Sequence, residues 1–318
     1  MKKSALLALG LLSCLAACRS NQSNDIVKST YIHKYGVPIS HDEWKRQGED
    51  GKVVLLHKNG VTSSRSYSEG VLHGESTYTF PNTSTLAKSE IYEKGMLVAR
   101  KENYISGVPH LEEDFEDEVI CRRSVWYENG SPQTVEAYAN GLLTSGEYRT
   151  TSNQVETRVK GGSGTRVIRD KDGLLLAREN IEGGRRIERV DYFINGDPSS
   201  ITPYQNDHIH GTRLTFALGG LPNTVEQWDY DQQHGITVVY QNGERVSEVP
   251  YVHGKRDGIE KKFRDGTILV EEMTWRNDEP HGKRIIYVDG ATQVDYFNHG
   301  ELVSRPTFER RNPQRPNA

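Results

Sequence analysis

Gly235-Ile236-Thr237-Val238-Val239-Tyr240-Gln241-Asn242-Gly243 is the stretch that decides the fold. Ile236, Val238 and Tyr240 fall on one face of an extended strand, the period of two that a half-buried β-strand requires. The stretch ends on Asn-Gly, which supplies the positive φ angles of a two-residue type I′ hairpin turn. Leu269, Met273 and Trp275 repeat the alternation on a second strand. The local unit is therefore a β-hairpin.

Gly235 belongs to a series, Gly211, Gly235, Gly258 and Gly282, at steps of 24, 23 and 24 residues. Eight residues after each stands a second turn, Leu218-Gly219-Gly220, Asn242-Gly243, Asp265-Gly266 and Asp289-Gly290. The same period runs backward through units starting near Ile187, Gly164, Gly146, Arg122, Ala99, Gly74 and Gly51. Aromatic residues lock to it twice. Tyr104, Tyr127, Tyr192, Phe216, Tyr240, Phe263 and Tyr287 stand after the unit starts, and Tyr67, Tyr92, Phe115, Tyr204, Trp228, Tyr251 and Trp275 stand before them. Two joints are irregular: the turn Pro81-Asn82-Thr83-Ser84-Thr85 is swollen, and the step from Gly146 to Gly164 is short.

One hairpin buries too little to stand alone, so neighbouring units must stack. The expected fold is all-β, an elongated array of stacked antiparallel hairpins, about eleven units of about 24 residues over 48–304, with an irregular joint near 146–187. The aromatic rows are expected to form its narrow core. A mean hydropathy of −0.71 and a hydrophobic share of 34% suit such a thin body better than one thick core.

Tyr251-Val252-His253-Gly254-Lys255-Arg256-Asp257-Gly258 and Asp278-Glu279-Pro280-His281-Gly282-Lys283 resemble the MORN-repeat variant of bacterial proteins, as do the paired glycines and the His that precedes the second Gly at His73, His210, His234 and His281. The resemblance covers about residues 48–304. Thr157 and Asn180 depart from it where an aromatic belongs, which breaks regular stacking between Gly146 and Ile187. It implies a curved ribbon of hairpins used as an interaction or membrane-proximal scaffold, and some relatives carry the label antitoxin.

The amino terminus reads differently. Met1-Lys2-Lys3 precedes an apolar run, Ser4 to Leu12, too short to span a bilayer, and then Leu15-Ala16-Ala17-Cys18 resembles a bacterial lipobox. Residues 1–17 are expected to be a signal peptide and Cys18 the lipidated first residue, in preference to the rival site Leu11-Leu12-Ser13-Cys14. Two or three acyl chains at one terminus hold a protein on a membrane, as a single chain does not. Arg19, where inner-membrane lipoproteins commonly carry Asp, implies the outer membrane. Residues 18–47 are expected to be a lipidated start and polar tether, and 305–318, which contain Arg310-Arg311-Asn312-Pro313-Gln314-Arg315-Pro316, a disordered tail.

Loss of Lys2 and Lys3 with the signal leaves 38 basic side chains (40 − 2) against 44 acidic ones, which argues against nucleic acid as a partner. Cys121 would remain as a single thiol. It sits in Val119-Ile120-Cys121 and is expected to be buried.

No stretch assembles catalytic chemistry. The His-Gly histidines recur one per unit without the carboxylate or Cys partners of a zinc site, so turn packing is preferred over metal. His208-Ile209-His210 beside Asp207 is too local to close a coordination shell. Gly161-Gly162-Ser163-Gly164-Thr165 lacks the Gly-Lys-Ser/Thr ending of a phosphate loop and reads as a strand breaker. The acidic run Glu112 to Glu118 reads as a solvated face with Phe115 turned inward. Its basic counterpart, Arg166, Arg169, Arg178, Arg185, Arg186 and Arg189, is the candidate binding patch, able to meet lipid headgroups or an acidic partner.

Together these point to a lipid-anchored envelope protein, not an enzyme, needing no cofactor, whose sheet presents a binding or scaffolding surface to an envelope protein, lipid or glycan. An antitoxin or immunity-like role and a hydrolase built on the repeat are the alternatives.

Overall fold

The computed structural model describes residues 25–313. The signal segment 1–17, Cys18 and residues 314–318 lie outside the described residues. The described residues divide into two compact units, with the boundary between Gly130 and Ser131. Both are built of antiparallel strands of about eight residues, each paired with the next in sequence. That is the all-β hairpin architecture the repeat predicts.

In the first unit, strand Ile26–His33 pairs with Gly51–His57, and the helix α1, His41–Arg46, lies between them in sequence. Ser40 caps α1, with Glu43 reaching back to the Ser40 N–H in a capping box. The purpose of this short helix is Trp44, which is buried between Tyr31 and Tyr67 at ring distances of 5.8 and 6.1 Å. Strand and helix are thus present from Ile26 onward, inside the segment expected to be a tether. Few apolar residues suffice there, because the strand takes its backbone hydrogen bonds from a neighbour and only Tyr31 and Trp44 need shelter. At the other end of the chain, α2, Arg305–Arg311, occupies part of the expected disordered tail. Ser304 caps it, and Phe308 packs on the rings of His281 and Tyr296. Both helices cover an end of a repeat array.

The turns differ from expectation in kind. At Gly60, Gly107, Gly130, Gly173 and Gly196 the preceding residue keeps negative φ, and the Gly N–H donates to the carbonyl three residues back, as from Gly60 to His57 (3.0 Å). These are three-residue loops with glycine in the left-handed position. Type I′ turns, with both central residues at positive φ, do occur at Asn242-Gly243 and Asp289-Gly290. They dominate the opposite edge, at Asn140-Gly141, Tyr230-Asp231 and Asn277-Asp278, where non-glycine residues hold the strained conformation. Two of them are braced by the short strand before them: Asp231 N–H donates to Ile209 O (3.0 Å), and Asp278 N–H to Arg256 O (2.9 Å). Gly161-Gly162 is likewise a turn, joining Val155–Lys160 to Ser163–Arg169, and not a strand breaker.

The interior is not the aromatic stack that the sequence suggests. Buried side chains include Glu90, Glu113, Glu136, Glu179 and Glu226, one per strand. Among the described residues the one buried apolar cluster, Leu143, Tyr148, Val159, Val167 and Ile181, sits at the irregular joint. A single-layer sheet offers each side chain only its neighbours on adjacent strands, so large charged residues are sheltered there only when they pair.

Candidate functional site

Cross-strand register explains the buried glutamates. In the first unit Ser76 lies opposite Glu90, Glu90 opposite Arg100, Arg100 opposite Glu113 and Glu113 opposite Arg123. In the second, Arg166 lies opposite Glu179, Glu179 opposite Arg189, Arg189 opposite Thr202, and Arg213 opposite Glu226. One residue per strand thus builds a row of alternating charge, roughly 5 Å per step. Arg213 Nη1 meets Glu226 at 3.1 Å, and Arg189 Nη1 meets Glu179 at 3.1 Å.

One aromatic series serves this row. Tyr92 Oη donates to Glu90 (3.1 Å), Tyr138 Oη to Glu136 (2.6 Å) and Trp228 Nε1 to Glu226 (2.8 Å), each from two residues further along the same strand face. Arginines stack on others: Arg186 lies 3.7 Å from the Tyr204 ring and Arg256 3.5 Å from Trp275. Burial, with the Glu90 charge and hydrogen bond, pushes the Tyr92 phenol up to about 12, so it stays a donor.

The joint is the most enclosed part. Glu136, on Pro132–Ala139, accepts from Tyr138, from Tyr148 Oη (2.8 Å) and from Arg166 Nε (2.7 Å). Arg166 belongs to Ser163–Arg169, three strands away, about 14 Å in a flat sheet. The bond therefore requires the sheet to curl over itself, and the carbonyl of Asp170 accepting from Gln133 Nε2 (2.9 Å) does too. Gly146 permits the curl: a Cβ there would stand 2.4 Å from Tyr148 Oη. Burial, then the Glu136 charge and hydrogen bond, pushes the Tyr148 phenol far up. Burial works against the Arg166 charge, but Glu136, Tyr138 and Glu179 outweigh it and raise its pKa.

Of the six patch arginines, Arg166, Arg186 and Arg189 converge on Glu179 (3.3, 3.1 and 3.1 Å). Arg169 and Arg178 share Glu156 (2.8 and 2.7 Å), and Arg185 pairs with Asp207. Each has a carboxylate within ion-pair distance, the six arginines sharing Glu136, Glu156, Glu179, Asp191 and Asp207, so the patch is largely paired within the chain. The acidic run divides similarly: Glu113 joins the row, Glu112 pairs with Lys101 (2.7 Å), and Asp117-Glu118 form a turn at positive φ. Cys121 is half-buried, its thiol directed to Asp114 O (3.4 Å).

The His-Gly histidines act in the turns. Nδ1 of His73, His234 and His281 accepts the N–H of Lys94, His253 and His299, respectively, at 3.3, 3.4 and 3.3 Å, each donor at positive φ in the next turn. His210 instead lies beside Asp229 and the Tyr230 ring. Among the described residues no group of three or more His, Cys, Asp or Glu side chains is gathered as for a metal ion.

The opposite face is different. Val190, Ile201, Leu214 and Val225 lie opposite one another on successive strands, and Val225 opposite Val238. Each neighbours a row residue in sequence and so points away from it. Ile236 and Ile259, on flanking positions, are 51% and 52% exposed.

No known protein family matches the chain, and no curated protein matches it. Among solved structures, TcdB2–TccC3 without its hypervariable C-terminal region is similar at 10% identity and a TM-score of 0.16, over 83% of this chain and 17% of that one. TcdB2–TccC3 itself is similar at 12% identity over the same shares, with the same score. The chain thus spans about a sixth of those proteins, and scores this low carry no argument about fold or function.

Proposed function

We propose that this chain is a non-catalytic envelope lipoprotein, held on the outer membrane through Cys18, whose sheet serves as a binding or scaffolding surface for another envelope component. The observation that supports it is the inequality of the two sheet faces in the second unit. In this unit every arginine of the charged row has a carboxylate of the same chain within ion-pair distance. The apolar row Val190, Ile201, Leu214, Val225 and Val238, with half-exposed Ile236 and Ile259, gains from being covered. Alternating faces of this kind suit docking better than chemistry, which needs convergent titratable groups with unspent capacity.

The test is crosslinking in cells followed by purification of the parent and of Cys18→Ala, with identification of what copurifies. A defined envelope partner seen with the parent, and lost when Ile236→Lys is introduced, agrees with the proposal. Membrane fractionation of Cys18→Ala identical to the parent overturns the anchor. Copurification unchanged by Ile236→Lys overturns this face as the docking surface.

A further inference from the structure

The row of alternating charge breaks at its start in the first unit. Glutamates stand in one series at Glu90 and Glu113, and arginines in the other at Arg100 and Arg123. One unit earlier the glutamate series holds Arg65 and the arginine series holds Ser76; the register brings these two alongside, since Ser64 pairs with Thr77. Arg65 pairs across its other side with Val53. Its sign is inverted, and neither neighbour in the row carries a carboxylate.

The consequences are visible atom by atom. Arg100 and Arg123 reach Glu113 at 3.6 and 3.5 Å, and Arg100 reaches Glu90 at 3.7 Å. Arg65 has no carboxylate within ion-pair distance among the described residues, which sets it apart from Arg100 and Arg123; the Nε atoms of all three are buried without a hydrogen-bond acceptor. The Ser76 hydroxyl beside it is also unpartnered, in a residue only 1% exposed. Glu90 cannot serve, being already engaged by Lys88 (2.8 Å), Tyr92 and Arg100. Tyr78 and Tyr67 flank the guanidinium, whose carbon lies 5.9 Å from the Tyr78 ring, while Lys88 Nζ lies 4.3 Å from the same ring. Burial works against the Arg65 charge and the Tyr78 and Tyr67 hydroxyls outweigh it, so neutral phenols stand here where a carboxylate serves every other arginine of this unit's row.

We propose that Arg65, with Tyr67, Tyr78 and Ser76, is a binding site for a carboxylate presented by an acidic polypeptide segment. The incoming carboxylate takes the place that a glutamate holds elsewhere in the row, accepting from the guanidinium, with the phenols as walls and Lys88 at the rim. The site lies in a different unit from the apolar face above and does not depend on the lipid anchor.

The test uses the detergent-solubilised full chain and a fluorescein-labelled tetraglutamate peptide, read by anisotropy at constant ionic strength. Arg65→Gln is expected to weaken binding by at least about tenfold, as loss of a charge-assisted hydrogen-bonded pair does. Arg264→Gln, at the exposed end of the strand Gly258–Arg264, is expected to change it little. Arg65→Glu combined with Ser76→Arg restores the alternation. That variant is expected to melt at or above the parent's temperature and yet lose the peptide, which separates binding from folding. Three results overturn the proposal: no binding at millimolar peptide, equal binding by Arg65→Gln, or displacement by inorganic phosphate far more effective than by acetate. None of them bears on the crosslinking result for the apolar face.

Discussion

The joint around Glu136 and the row from Glu90 to Arg123 handle the same difficulty, a carboxylate sheltered in a one-layer sheet, with different completeness. At the joint the sheet curls until Tyr138, Tyr148 and Arg166 all reach one carboxylate whose side chain has 0% exposure. In the first unit the sheet gives Glu113 two arginines at 3.6 and 3.5 Å whose side chains are 34% and 38% exposed. Curl, not the number of charges, separates the two. Glu136→Ala should therefore have the largest effect available, leaving Arg166 without its nearest counter-charge and Tyr148 without its acceptor. A loss of about 3–5 kcal/mol is expected in urea unfolding. A loss under about 1 kcal/mol would mean that the enclosed network contributes nothing the apolar cluster does not.

Gly146→Ala tests the curl without touching a charge. The new methyl would stand 2.4 Å from Tyr148 Oη and 2.8 Å from Cζ, and Tyr148, 1% exposed, has nowhere to retreat. About 1–3 kcal/mol of destabilisation is expected from overpacking, with faster amide exchange confined to the strands of the joint. Neutral behaviour would show that the tyrosine can swing out and that the curl tolerates it. Glu113→Ala, the counterpart of Glu136→Ala in the first unit, should cost only about 1 kcal/mol, because its arginines turn to water instead. Equal losses for Glu113→Ala and Glu136→Ala would erase the distinction between the two regions.

How much of this was legible in the sequence follows from what each signal depends on. Period, strand alternation and turn positions are local, and they led to the antiparallel hairpin architecture. The core was misjudged because aromatic residues stand out by rarity, whereas Glu90, Glu113 and Glu136, at steps of 23, and Arg100 and Arg123, also 23 apart, look like ordinary surface charge. Their meaning lies in register between strands, which no single strand displays. The arginines of the candidate patch stand out in the sequence by their concentration near the joint, whereas their partners Glu136, Glu156 and Glu179 are scattered along the chain. Counting both signs in the repeat frame would have found them. Trp44 and Phe308 were missed for a simpler cause, since a cap occurs once and has no period.

The histidine turns offer the finest test of the difference between enclosed and open groups. His281 is buried, accepts the His299 N–H through Nδ1, and faces Arg276, His299, Glu279, Phe308 and Asn312. Burial, then Arg276 and His299, lowers its pKa below the usual 6.5. The unfolded chain therefore binds more protons than the folded one between that lowered value and 6.5. Stability from this group is complete above about pH 6.5, declines as pH falls through the window, and is flat below it. In His281→Asn the amide oxygen can take the place of Nδ1 as acceptor while nothing titrates, so the variant should lose this slope and keep the turn. Melting temperatures of parent and variant at pH 7.5 and 5.5 measure it. A parent that gains stability toward pH 5.5 relative to the variant would reverse the sign and show that the imidazole is buried charged.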